Sequence, residues 1–290
     1  MLATRTSEAI MTTIDATRAT ASSVQGTLTF LINTGEKPVT YPDQQTQAGS
    51  RTVGEYEDRS VALHNGRLVR DELDLDRQGF VLLDHRSSAR DFYDEAELKS
   101  VYYPECEALV REATGAQKVI IFDHTIRIED VGKRKALNVR APVPSVHNDY
   151  TDWSAPKRVR DLLPPEEAEE RLQRRYLFIN VWRPILGPVE SAPLVLCDAR
   201  SMAQRDLIAA DHIYDAGRRG ETYRVAFNES QQWYYFPRMG TDEIVLIKCF
   251  DSATDGRARY SAHGAARLST PVPAGAPPRE SIEIRTIAFL

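Results

Sequence analysis

Apolar residues recur along this chain with two different periods, and each period predicts its own kind of element. Residues 25–33 (QGTLTFLIN) alternate as a strand does, and the Gly and Pro of the following GEKPVTYPD break the run. Residues 51–76 are mostly polar, with strand-like pieces (VALHNGRLV) on either side of an expected Asn65-Gly66 turn. GFVLLDHRSS, at 79–88, is the next expected strand. Over 94–114 the step lengthens: Leu98, Val101, Tyr102, Cys106, Leu109 and Val110 fall three or four residues apart before Gly115, the pattern of an amphipathic helix packed on a sheet. The β-branched run 118–130 (KVIIFDHTIRIED) returns to strand, and an irregular stretch with Pro142 and Pro144 follows it. A second helix is expected over 164–174, where prolines and glutamates begin the segment and arginines end it, as the helix dipole favours.

From residue 175 onward strand follows strand: RYLFINVWRPI, PLVLCDA, TYRVAFN, QWYYFP, DEIVLIKCF, ARYSAH and ESIEIRTIAFL, with one helical interruption expected near 201–210. Short strands separated by turns predict a mainly β fold of sandwich or barrel type, its helices flanking one sheet. Residues 1–25 are rich in Thr, Ala and Ser without a period, so a loose tail is expected there and one domain over 26–290. At 42% hydrophobic and 27% charged residues the composition is that of an ordinary folded chain, which excludes wholesale disorder.

Charge and punctuation then narrow the chemistry. Lys plus Arg is 37 against 42 for Asp plus Glu, a net charge of −5, and no basic stripe interleaved with aromatics occurs, so nucleic acid is not an expected partner. No apolar run approaches eighteen residues and the N-terminal stretch has no apolar core, so neither a membrane span nor a secretory signal is expected and the cytoplasm is the expected compartment. Cys106, Cys197 and Cys249 are too few and too scattered for a disulfide framework, and Cys197 and Cys249 read as buried and inert. Neither a GxGxxG nor a P-loop nor a GxSxG elbow is present, which removes the main support for nucleotide-binding and serine-hydrolase readings.

Six histidines remain, and His147 stands out because it begins a His-x-Asp with Asp149. In extended chain, residues two apart point to the same side, so an imidazole and a carboxylate can converge on one ion. Together they fill two of the three positions of the facial triad that suits Fe(II). A third ligand would be a later histidine, and His263, near the end of ARYSAH, is the only one after His212. Taken alone, His147-x-Asp149 also reads as a surface turn in which Asp149 caps a backbone amide. Sixteen residues beyond His263, Arg279, Ser281, Glu283 and Arg285 share one face of a strand whose other face carries Ile282 and Ile284. Arg279 with Ser281 offers a charge-assisted fork and a hydroxyl to a carboxylate, and Arg285 competes for that role. An exposed ion pair with Glu280 or Glu283 is the plain alternative for Arg279. His124 reads as a core histidine; His64, His85 and His212 read as surface residues.

The order His147-x-Asp149, His263, Arg279-x-Ser281 on a β-rich C-terminal half resembles the Fe(II)/2-oxoglutarate-dependent dioxygenases. The segments FDHTIR (122–127), VHNDYT (146–151), INVWRPI (179–185), PLVLCDARS (193–201), WYYFPRM (233–239), EIVLIKCFDS (243–252) and PPRESIEIR (277–285) are similar to the CmcJ/AsaB/NvfI-like hydroxylase and desaturase family of specialised metabolism. That resemblance implies a double-stranded β-helix (jelly-roll, cupin-like) core. It also implies Fe(II) on His147, Asp149 and His263, and 2-oxoglutarate held by a basic residue, with O2 as oxidant and succinate and CO2 as co-products. The implied activity is hydroxylation, desaturation or another oxidative rearrangement of a small organic metabolite, with Tyr150 and Asn180 as pocket candidates. Family members often continue after the distal histidine with Thr-Ala-Phe and acidic residues, where this chain reads Gly264-Ala265-Ala266-Arg267, a departure that bears on substrate class. Two other readings stay open at this point: a cupin-like binding or accessory protein without turnover, and an iron oxygenase that does not use 2-oxoglutarate. Nothing in the sequence decides between a monomer and a homo-oligomer.

Overall fold

Two sheets face each other in the computed structural model, which describes residues 21–41, 51–214 and 217–290. The smaller is antiparallel throughout, in the order Phe80–Asp84 (β5), Glu243–Asp251 (β13), Tyr176–Leu186 (β8), Glu280–Phe289 (β16) and Lys118–Ile128 (β6). The larger has eleven strands among the described residues. It runs Arg267–Leu268 (β15), Ser23–Leu31 (β1), Tyr56–Asn65 (β4), Trp233–Tyr235 (β12), Leu194–Cys197 (β9), His263–Ala265 (β14), His147–Asn148 (β7), Arg219–Val225 (β11), Leu207–Ile213 (β10), Val39–Tyr41 (β2) and Arg51–Val53 (β3). The chain crosses repeatedly from one sheet to the other, as when β7 leads to β8 and β8 to β9, which is the weave of a jelly roll.

Alternation on the small sheet sorts its residues into two layers. On β8 and β16, Leu177, Ile179, Val181, Ile282, Ile284 and Ala288 face outward and pack with Leu98, Tyr102, Cys106 and Val110 of the flanking helix. That helix begins at α1 (Glu95–Glu97), where Asp94 accepts from the Ala96 and Glu97 amides, passes through a π-helical turn (Leu98–Tyr102) and continues as α2 (Tyr103–Thr114). Gly115 ends it at φ 70°, a left-handed conformation that glycine adopts without strain. Tyr176, Phe178, Trp182, Ile287 and Phe289 face the other way, into the core between the sheets. Along that inner face of β16 the chain is polar from Ser281 to Arg285 and apolar from Ile287 to Phe289, so the interior has a polar end and a closed apolar end. Each fully buried aliphatic or aromatic side chain contributes roughly 1.5–3 kcal/mol, which is what holds that closed end together.

Several expectations need correction. β1 begins at Ser23, so the last residues assigned to a loose tail are strand; residues 1–20 lie outside those described. Asn65-Gly66 does not turn a hairpin. Asn65 ends β4 and caps the 3-10 turn Gly66–Glu72 by accepting from the Arg67 amide, and a Cβ on Gly66 would come within 2.5 Å of the Phe236 ring, so glycine there serves close approach. The stretch near 201–210 is not helical: two 3-10 turns (Ala199–Ser201 and Gln204–Asp206) lead directly into β10, which pairs with β11. The helix expected over 164–174 is α5 (Pro165–Leu172), and two more precede it, α3 (Val131–Leu137) and α4 (Ser154–Leu162), which the pattern reading did not resolve. Among the described residues no helix is long and apolar enough to cross a membrane.

Candidate metal centre

β7 and β14 are neighbours, and His147 lies directly opposite His263 in their register. Opposed residues of an antiparallel pair share a face, so both imidazoles project to the same side, with ring centroids 4.8 Å apart. Asp149, just past β7, completes the cluster: one ligand atom from each of His147, Asp149 and His263 lies within 4.8 Å of the others, and His147 Nε2 stands 3.6 Å from Asp149 Oδ1. β14 passes close beneath Val146, and a Cβ on Gly264 would sit 3.1 Å from Val146 Cγ1. The small residues after His263 thus let this strand approach the metal-side loop.

The protonation pattern is set by backbone. His147 Nδ1 lies 2.9 Å from the Ser145 carbonyl and His263 Nδ1 lies 3.1 Å from the Ser261 carbonyl. A carbonyl oxygen only accepts, so each Nδ1 carries a proton and Nε2 is the ring nitrogen each histidine can offer a metal, as metal-ligating imidazoles do. Burial and the neighbouring His263 hold the His147 pKa down to about 3, against the pull of Asp149, so its imidazole is neutral at ordinary pH. The Asp149 carboxylate is divided in function. Its Oδ2 accepts from Asn180 Nδ2 at 2.8 Å and from Arg285 Nε at 3.1 Å, while Oδ1 faces His147. Burial would raise its pKa, but Arg285, the two histidines and the Asn180 hydrogen bond together hold it well below the usual carboxylate range.

Arg285 is fully committed. Besides Asp149 it donates to Asp123 Oδ2 at 3.1 Å, Thr125 Oγ1 at 2.7 Å and Glu283 Oε1 at 2.6 Å, and these carboxylates hold its pKa up despite burial. Arg279 is placed differently. It is buried, its Nη1 donates to the Ala192 carbonyl at 2.5 Å, its Nε lies 3.3 Å from Ser281 Oγ, and its guanidinium stands 5.0 Å from the centre of the Trp182 ring. Tyr150 packs against Phe178, ring centroids 4.1 Å apart, so its ring belongs to the aromatic core beside the cluster. His124 is on the outer layer, bonded to Tyr103, and His85 is bonded to Arg183. His212 is not the plain surface residue expected: it bonds Thr222 at 3.0 Å, and burial with the nearby Arg224 lowers its pKa to about 4. All three cysteines are buried free thiols. Arg127, the last residue of FDHTIR, has no role legible from the sequence alone and faces the same interior, since its alternation partners Asp123 and Thr125 both contact Arg285. That alternation was the available signal.

Two imidazoles and one carboxylate gathered in one cluster, with an orienting partner behind each, fit a mononuclear divalent metal with open positions, the geometry of non-haem Fe(II) oxygenases. Asn180 Oδ1, buried without a partner beside Asp149, leaves an acceptor over for a bound group. Comparison with known proteins agrees. The family described as "Oxidoreductase/YMDC permease-like domain" matches residues 28–289. The chain is 32% identical to the hydroxylase/desaturase efuI of Hormonema carpetanum, over 82% of this chain and 87% of that one. It is 33% identical to the Fe(II)/2-oxoglutarate-dependent dioxygenase nvfI of Aspergillus novofumigatus, over 87% and 89%. Among solved structures, the iron and alpha-ketoglutarate-dependent endoperoxidase NvfI superposes with a TM-score of 0.82 at 29% identity, covering 92% of this chain and 98% of that one. The chain belongs to the Fe(II)/2-oxoglutarate-dependent dioxygenase and hydroxylase/desaturase family.

Proposed function

We propose that His147, Asp149 and His263 hold Fe(II), that Arg279 with Ser281 receives 2-oxoglutarate, and that the enzyme oxidises a small organic metabolite with O2. The observation that carries this reading is the pair of Nδ1–H donations to backbone carbonyls, which turns Nε2 of each histidine to the cluster it forms with Asp149. Bound there, ferrous iron with 2-oxoglutarate supplies the activation of O2, with succinate and CO2 formed in the same turnover. Each residue's part follows from its contacts. Arg285 and Asn180 fix Asp149 through Oδ2, so Oδ1 is offered as a single ligand oxygen. Arg279, rigid between the Ala192 carbonyl and the Trp182 ring, presents a cation and, with Ser281, a hydroxyl to a carboxylate. The aromatic floor of Tyr150 and Phe178 keeps the closed end of the barrel dry.

Hydroxylation, desaturation and endoperoxide formation all start from the same centre, and the relatives' names span them. The buried free thiols Cys106, Cys197 and Cys249 support the cytoplasm as the working compartment. Anaerobic titration of the apoprotein with Fe(II) and then 2-oxoglutarate tests the assignment. A weak visible metal-to-ligand charge-transfer band is expected in the wild type and not in His263→Ala. A wild type that binds iron yet gives no band on adding 2-oxoglutarate would remove the oxo acid from the reading.

A further inference from the structure

Arg127 of β6 lies directly opposite Ser281 of β16, so the two side chains share the inner face. Ser281 Oγ is in turn 3.3 Å from Arg279 Nε. Arg279 thus touches the buried Ser281 hydroxyl, and Arg127 stands across the strand pair from the same residue. Neither has an ion-pair partner: among the described residues no carboxylate oxygen lies within 4.0 Å of a side-chain nitrogen of Arg127 or Arg279, and Glu283 acts on both only from farther away. Glu283, the carboxylate nearest along that face, is taken by Arg285 at 2.6 Å, and Glu129 accepts from the Arg279 backbone amide and from Ser191. What holds each arginine is a carbonyl, Ala141 for Arg127 at 2.9 Å and Ala192 for Arg279 at 2.5 Å.

This is an expensive arrangement for a protein at rest. Burial lowers the pKa of Arg127 to about 10 and that of Arg279 to about 9, and Arg127 itself adds to the depression of Arg279. Arg127 nevertheless keeps partial access to solvent, as a residue on the wall of a cleft does. Two cations brought together beside a hydroxyl, each with N–H donors to spare, form a site for one anion held from both sides. The contrast with Arg285 sharpens this, since three carboxylates already surround that residue.

We propose that Arg127 is a second anchor for the distal carboxylate of 2-oxoglutarate, closing on it from β6 while Arg279 and Ser281 hold it from β16. This rests on the function proposed above. It adds that Arg127 sets selectivity for a dicarboxylic oxo acid over a monocarboxylic one, because a 2-oxo acid lacking the distal carboxylate has nothing to offer the pair.

The test is a binding measurement that needs no turnover: calorimetric titration of Mn(II)-loaded full-length protein with 2-oxoglutarate and, separately, with 2-oxobutyrate. Arg127→Gln should weaken 2-oxoglutarate by roughly 10- to 100-fold, the loss of a hydrogen bond to a charged group, while leaving Mn(II) and 2-oxobutyrate affinities at their wild-type values. If Arg127→Gln does not fold, Arg127→Lys carries the test, since it keeps the charge without the fork and should weaken 2-oxoglutarate alone. Equal weakening of both oxo acids would reduce Arg127 to a structural residue, and unchanged 2-oxoglutarate affinity would remove it from the site. A wild type that fails to bind 2-oxoglutarate would instead overturn the underlying reading, and this proposal with it.

Discussion

Arg279, just before β16, and Arg285, within it, stand six residues apart, yet their surroundings give them opposite properties. Arg285 meets Asp149, Asp123 and Glu283 and has no donor nitrogen left uncommitted. Arg279 meets a carbonyl, a hydroxyl and an aromatic face, and among the described residues it makes no ion pair. The first is therefore built to hold a protein carboxylate still, the second to receive one from outside. Residue type and spacing are the same for both; the difference lies in which counter-charges β6 and the loop after β7 bring within reach.

The largest effect that would break this comparison lies at the ligands themselves. His147→Ala, Asp149→Ala and His263→Ala should each reduce turnover below detection, checked by succinate release; near-normal activity in any one removes that residue from the metal site. Next in size is Arg285→Ala. It strips Asp149 of one of its two partners and leaves Glu283 buried without its cation. Loss of one member of such a buried set costs roughly 3–5 kcal/mol, and loss of an orienting partner costs about 10- to 100-fold in metal affinity. Denaturant midpoints and Fe(II) titrations read these two losses separately. Arg279→Ala should be the mirror image, with Fe(II) binding intact and the 2-oxoglutarate requirement raised by roughly 10- to 100-fold. If Arg285→Ala raises that requirement and Arg279→Ala does not, the two roles are exchanged.

The smallest expected effect is a pH dependence. His212 has its folded-state pKa lowered to about 4, so on acidification the unfolded chain takes up the proton first. Stability should be fully present above about 6.5, the unfolded value, and fall as pH drops from there toward about 4. Because the residue is partly exposed, the slope should be less than about 1.4 kcal/mol per pH unit. Urea midpoints of apoprotein across that window measure it: His212→Asn should remove its share of the slope and leave that of His147, whose pKa is also held down.

Much of the interior was legible before any coordinates. The alternation that set Ser281, Glu283 and Arg285 against Ile282 and Ile284 corresponds to the two layers of β16, and the stripe Leu98, Tyr102, Cys106, Val110 packs on the outer one. Failures came where local chemistry admits two outcomes. Asn65-Gly66 has the composition of a hairpin turn, but the Phe236 ring and the Arg67 amide make it the start of a 3-10 turn. The run 207–213 lacks β-branched residues except at its ends, and only its partner β11 makes it a strand.

By itself the sequence determined the periods, and hence which residues face a common side, together with the order of His147, Asp149, His263, Arg279 and Ser281 along the chain. Periodicity is a local property, fixed by backbone geometry within a few residues. Tertiary structure alone decided that His147 lies opposite His263, that Arg285 belongs to Asp149, and that Arg127 stands across from Ser281. Those pairings join residues more than a hundred positions apart, and their energies depend on burial and counter-charge, which exist only once the two sheets have closed.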